Sequence, residues 1–94
     1  KISILFLYLL FHNCFNTAGA PFLQVLLQIP LQDSAYEEIR EYHALHAYVE
    51  QHFQEEKVNY LFVDEVQMCP KFELAINSLY SKGKYDIYIT GSNA

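Results

Sequence analysis

Apolar residues in this chain fall into short continuous runs, separated by stretches in which they recur every three or four positions. Ile2 to about Phe15, apolar as far as Phe11, reads as a largely buried helix, although so short an apolar run also fits a strand. Thr17 to Pro21 reads as a turn, punctuated by Gly19 and Pro21. Phe22 to Ile29 reads as a buried strand stopped by Pro30, and Gln24 and Gln28 within it suit an edge position. Ser34-Ala35-Tyr36-Glu37 has the capping-box pattern, with Asp33 adding negative charge at the same helix start. Tyr36, Ile39, Tyr42, Leu45, Val49 and Phe53 then recur at helical spacing, which predicts one helix from Ser34 to about Phe53. Gln54 to Lys57 is a polar connection. Val58 to Val63, apolar except at Asn59, reads as a strand covered on both faces.

Beyond that strand, Val66 to Pro70 reads as a loop, with Pro70 suited to a helix start. Phe72, Ala75, Ile76, Leu79 and Tyr80 form the apolar stripe of a further helix, and Gly83 closes it as a C-cap. Tyr85 to Thr90 is the last strand. The alternation is α-β-α-β-α-β, without internal repeat or low-complexity tract. It predicts an α/β fold in which parallel strands are joined by right-handed crossovers.

The strand ends carry the candidate chemistry. In a parallel α/β sheet, ligands bind beyond the carboxyl ends of the strands. Val58–Val63 ends in Asp64-Glu65, and Tyr85–Thr90 ends in Gly91-Ser92-Asn93, so both ends point to one rim. An Asp there can hold Mg²⁺ through water, because that cation takes oxygen ligands and keeps much of its hydration. A Glu beside it can orient the water that attacks a terminal phosphate, and Ser92 or Asn93 can hydrogen-bond that water or the phosphate. An Asp-Glu pair after an apolar run, taken alone, also fits the start of a solvated loop; the second strand at the right spacing favours the functional reading. No G-x-x-x-x-G-K-S/T sequence occurs, and Gly19, Gly83 and Gly91 are isolated, so no phosphate cradle is encoded in these residues.

Composition narrows the field further. Ninety-four residues, 52% hydrophobic and with fifteen aromatics (eight Tyr, seven Phe), make one small domain at most and argue against disorder. A net charge of −5, with six scattered basic residues, leaves no electrostatic footprint for nucleic acid. Cys14 and Cys69 stand far apart, outside zinc or redox spacing, and read as buried thiols in a reducing cytosol. His43, His46 and Glu50 fall at i, i+3 and i+7, but without an H-E-x-x-H pattern they read as ordinary residues of an amphipathic helix. Lys1, the run Ile2 to Phe11 and Ala18-Gly19-Ala20 imitate a secretory signal. The bulky and polar stretch His12 to Asn16, and the lack of an initiator Met, favour a core helix instead. The run is also too short to span a bilayer.

Three segments together resemble a known family. They are Asn59-Tyr60-Leu61-Phe62-Val63-Asp64-Glu65-Val66-Gln67, Phe72 to Tyr80, and Asp86-Ile87-Tyr88-Ile89-Thr90-Gly91-Ser92-Asn93-Ala94. Leu31-Gln32-Asp33 followed by Tyr36 to Tyr48 adds an acidic strand end and its helix. The chain is similar to the AAA-type domain of prokaryotic P-loop ATPases, in a branch whose members usually carry a nuclease-like C-terminal domain. The resemblance implies a three-layer parallel-sheet P-loop core of which residues 1–94 are a part, cut at both ends. It implies ATP and Mg²⁺ as cofactors of the full-length parent and a cytoplasmic setting. Asp64 then matches the metal-organising Asp, Glu65 the catalytic Glu, and Ser92 and Asn93 the sensor position; Gln67 belongs to the family's Asp-Glu-x-Gln pattern, in a role the sequence leaves open. Lys1 falls where the phosphate-loop Lys would stand, but Ile2 occupies the place of the Ser or Thr ligand. The expectation is therefore an ATPase fragment, inactive alone, whose partners are the rest of its domain and a C-terminal domain. The alternative is a non-catalytic interaction module that uses the helix Ser34 to Phe53.

Overall fold

The computed structural model describes residues 24–91. Three strands make a parallel sheet in the order β1-β2-β3: β1 is Gln24–Pro30, β2 is Val58–Asp64 and β3 is Tyr85–Ile89. β1 pairs with β2 from Gln24↔Val58 to Pro30↔Asp64, and β2 pairs with β3 from Asn59↔Tyr85 to Val63↔Ile89. The crossovers contain α1 (Tyr42–Gln51) and α2 (Phe72–Ser81). This is the α/β architecture that the alternating pattern predicts. β1 lies at an edge among the described residues, the position that its two glutamines suit. The expected first helix, the turn at Thr17 to Pro21, Cys14, Ser92 and Asn93 lie outside the described residues.

Period-2 alternation on each strand sorts the side chains onto two faces. Ile29, Leu61 and Val63 point to the face covered by both helices, where they meet Leu45 and Val49 of α1 and Ala75 and Leu79 of α2 in one core cluster. Phe62 points to the other face and is also buried, with the ring of Tyr88, its register partner on β3, 5.2 Å away and nearly perpendicular. A strand buried on both sides has no polar alternation, and Tyr60 to Val63 reads as a continuous apolar run for that reason.

The segment expected as one helix from Ser34 to Phe53 is two elements. Ser34–Ile39 is a 3-10 helix, Arg40 departs from helical geometry, and α1 starts afresh at Tyr42. Two acidic residues compete as caps and divide the segment. Asp33, rather than Ser34, caps the first piece by accepting from the Ala35 N–H at 2.9 Å. Glu41 caps the second by accepting from the N–H groups of His43 and Ala44 at 2.9 and 3.0 Å. Between them Arg40 Nε donates to the Leu31 carbonyl at 2.7 Å, which anchors the break to the end of β1. An i, i+3 repeat lies on one side of either helix type, so Tyr36 and Ile39 pack against the core beside α1 and the apolar spacing carries no sign of the break. Val66–Met68, expected as loop, is a single 3-10 turn. Gly83 follows α2 with φ +70°, the left-handed conformation of a C-terminal stop.

Candidate functional site

The parallel register brings three strand ends to one rim. Since Val63 pairs with Ile89, the next residues along, Asp64 and Thr90, stand side by side. Asp64 is only 5% exposed. The Thr90 hydroxyl donates to Asp64 Oδ1, and Gln32 Nε2, two residues beyond the end of β1, donates to Oδ2 at 3.2 Å. Main-chain bonds knit the same rim. Leu31 N donates to the Asp64 carbonyl at 3.1 Å, Thr90 N to the Val63 carbonyl at 3.0 Å, and Val66 N to the Thr90 carbonyl at 2.9 Å. A buried carboxylate is costly unless hydrogen-bonded, and here both oxygens are supplied.

Glu65 follows in the left-handed region, φ 58° and ψ 53°, a conformation that costs a non-glycine residue about 1–2 kcal/mol. Its N–H donates to Thr90 Oγ1 at 3.3 Å, so one threonine hydroxyl serves both acidic residues. The Glu65 carboxylate accepts from Gln67 Nε2 at 2.6 Å. Glu56 and Lys71 share this left-handed conformation, so what sets Glu65 apart is the buried carboxylate beside it rather than its φ alone. Gly91 closes the rim: a Cβ placed on it would lie 2.6 Å from Gln67 Oε1 and 3.1 Å from Val66 Cγ2.

The predicted pair Asp64 and Glu65 is therefore assembled at the carboxyl edge, and Ser92 and Asn93 follow Gly91 outside the described residues. Thr90, Gln32 and Gly91 are the members that the residue patterns did not single out for their roles. Register was the available signal for Thr90, because a parallel neighbour ending one step beyond Ile89 must face Asp64. A carboxylate has about four acceptor sites, and Asp64 spends two on Thr90 and Gln32, so room is left for the water shell of a hard cation. Among the described residues no group of three or more His, Cys, Asp or Glu side chains gathers as a direct metal site.

The other polar groups are built differently. His43 Nδ1 lies 2.8 Å from Glu41, whereas His46 bridges the helices, with Nε2 3.0 Å from Ser78 Oγ and Nδ1 3.3 Å from Glu50. Ser78, His46 and Glu50 stand in the order of nucleophile, base and orienter. Ser78 lies inside α2, however, where helix bonds consume the backbone donors that an oxyanion would need, and Glu50 also pairs with Lys82 at 3.3 Å. The seam holds α1 to α2. Cys69 is a buried free thiol whose pKa is pushed up, by burial first and by Glu41 and Glu73 after it, so it is not poised as a nucleophile.

A family model described as an AAA domain matches residues 10–94. The chain belongs to this family. Its Asp-Glu strand end and its Thr-Gly strand end are thus parts of an ATPase-like AAA domain. No curated protein and no solved structure matches the chain. None of the described helices of this AAA domain is long and apolar enough to cross a membrane.

Proposed function

We propose that this chain carries the metal-organising and water-activating half of a Mg²⁺-dependent ATP-hydrolysing site. The observation that supports the reading best is the buried Asp64, hydrogen-bonded from the ends of both neighbouring strands and followed by a conformationally strained Glu65. Asp64, held by Thr90 and Gln32, keeps acceptor capacity on its carboxylate that would hold the water shell of Mg²⁺. The metal, when bound, supplies charge neutralisation to the phosphates. Glu65 orients and polarises the attacking water, and Ser92 or Asn93 reports the terminal phosphate.

These 94 residues contain no phosphate-gripping loop sequence, so on their own they are expected to turn over ATP at background. Within this reading, the remainder of an ATPase domain and a C-terminal domain are the partners, and the setting is cytoplasmic. The test is ATP turnover by the longest open reading frame that contains these residues, with and without Glu65→Gln. Removing the carboxylate should lower turnover on the order of 10²–10³-fold while nucleotide still binds. Turnover indifferent to Glu65→Gln would refute the assignment.

A further inference from the structure

The carboxamide of Gln67 spans the gap between the two motif-bearing strand ends. Its nitrogen donates to Glu65 Oε1 at 2.6 Å, a short charge-assisted contact. Its oxygen lies where a Cβ on Gly91 would come within 2.6 Å. The main chain on both sides is fixed: Val66 N is bonded to the Thr90 carbonyl and Glu65 N to Thr90 Oγ1. Against this rigid frame, the part that can yield is a long, exposed glutamine side chain. Its position is set by a bare Cα at one end and by a carboxylate at the other.

We infer that Gln67 is a positioning residue that couples the end of β3 to Glu65, so that a displacement at Gly91 reaches the glutamate carboxylate through one carboxamide. The inference rests on the ATPase reading above. It gives the Asp-Glu-x-Gln spacing a physical purpose, because a residue two beyond Glu65, in the middle of the single 3-10 turn Val66–Met68, is placed to fold its amide back onto that carboxylate. It also gives Gly91 a purpose. Glycine there leaves space for the carboxamide, and any side chain would evict it. Ser92 and Asn93 are next in the chain, so the segment assigned to sensing the phosphate is joined directly to the residue against which Gln67 rests.

A surface hydrogen bond of purely structural value would move the melting temperature and leave catalysis alone, so the test separates the two. In the longest open reading frame containing these residues, Gln67→Ala is expected to lower kcat about ten-fold, with KM for ATP and the melting temperature unchanged. Gln67→Glu keeps the volume but loses the donor and adds a like charge beside Glu65; it should lose at least as much. Gly91→Ala should reproduce the Gln67→Ala defect. The double variant should be no worse than the poorer single one, since both remove one contact. If Gly91→Ala does not fold, the two Gln67 variants decide the matter alone. Wild-type kcat in both Gln67 variants, alongside a dead Glu65→Gln, overturns the coupling and leaves the ATPase reading intact. Fully additive losses in the double variant also overturn it. A gene product that neither binds nor hydrolyses ATP overturns the ATPase reading, and the catalytic role of Gln67 with it.

Discussion

β2 buries a polar side chain at each of its ends, and the two are satisfied in opposite ways. Asn59, at the amino end, is 5% exposed and turns wholly onto nearby main chain. Its Oδ1 accepts from Gln54 N at 3.0 Å, and its Nδ2 donates to the carbonyls of Gln54 and Lys57, both at 2.9 Å. Asp64, at the carboxyl end, is equally buried, but its partners are side chains reaching over from the ends of β1 and β3. Asn59 is neutral and closed in on its own loop, where Glu56 turns the chain with φ 62°. Asp64 is an acid kept inside the protein by residues more than twenty positions away on either side. A buried amide that pairs locally with backbone stabilises a turn. A buried carboxylate held from two neighbouring strand ends costs more than an apolar residue would, and under the proposed function its placement serves chemistry rather than folding.

That contrast can be broken most severely at Asp64. Asp64→Asn removes the charge yet keeps the shape, so turnover by the longest open frame should fall on the order of 10²-fold or more. Stability measured by urea unfolding should hold or rise, because the buried charge is gone. A large loss of stability in Asp64→Asn would mean that the carboxylate is as structural as Asn59. The converse variant, Asn59→Ala, strands two carbonyls and one N–H of the entering loop. It should cost about 1–3 kcal/mol in urea unfolding while kcat of the folded fraction stays at the wild-type value.

Thr90→Val sharpens the comparison from the middle. The hydroxyl donates to Asp64 and accepts from Glu65 N, so its loss touches structure and chemistry together. We expect a destabilisation of about 1–3 kcal/mol from the bond to a charged group, with a reduced kcat beside it. Thr90→Ser retains the hydroxyl and should restore most of the kcat. An unaffected kcat in Thr90→Val would show that the rim tolerates a loosely held Asp64.

How legible each end was in the sequence follows from range. Strands were legible because period and apolar runs are local: Val58 to Val63 and Tyr85 to Thr90 match β2 and β3 within one residue at each end. The Asp-Glu ending stood out because an apolar strand interior that stops at two carboxylates is chemically abrupt. What holds those carboxylates did not, since Gln32 to Asp64 and Thr90 to Asp64 are contacts across strands, set by register. The break at Arg40 was hidden for another reason. A 3-10 turn followed by an α-helix preserves the i, i+3 stripe, and the deciding groups, Asp33 and Glu41, are two caps eight positions apart, of which only Asp33 is a residue type favoured at a helix start. The role of Gln67 needed coordinates as well, because a contact at i, i+2 through a left-handed residue has no periodic signature.

Glu41 offers the mildest test, since it is a carboxylate with the local manner of Asn59. It is exposed and capped onto the first turn of α1. The His43 N–H first, and after it the Ala44 N–H and the His43 side chain, hold its pKa below the ordinary 4.5 against the opposing effect of desolvation. The sign follows from that direction. A carboxyl whose folded pKa lies below its unfolded one contributes stability that is present above the unfolded value and lost as pH falls through the folded value. Amide hydrogen exchange in the first turn of α1 should therefore stay slow from neutrality down to the mid-fours, then lose protection as the carboxyl is protonated. Glu41→Gln, which can still accept but has no charge to lose, should show no such acid step, while Asp64 and its rim stay untouched. An acid step of the same size in Glu41→Gln would place the titrating group elsewhere. It would also remove the claim that α1 owes its start to this cap rather than to the break at Arg40.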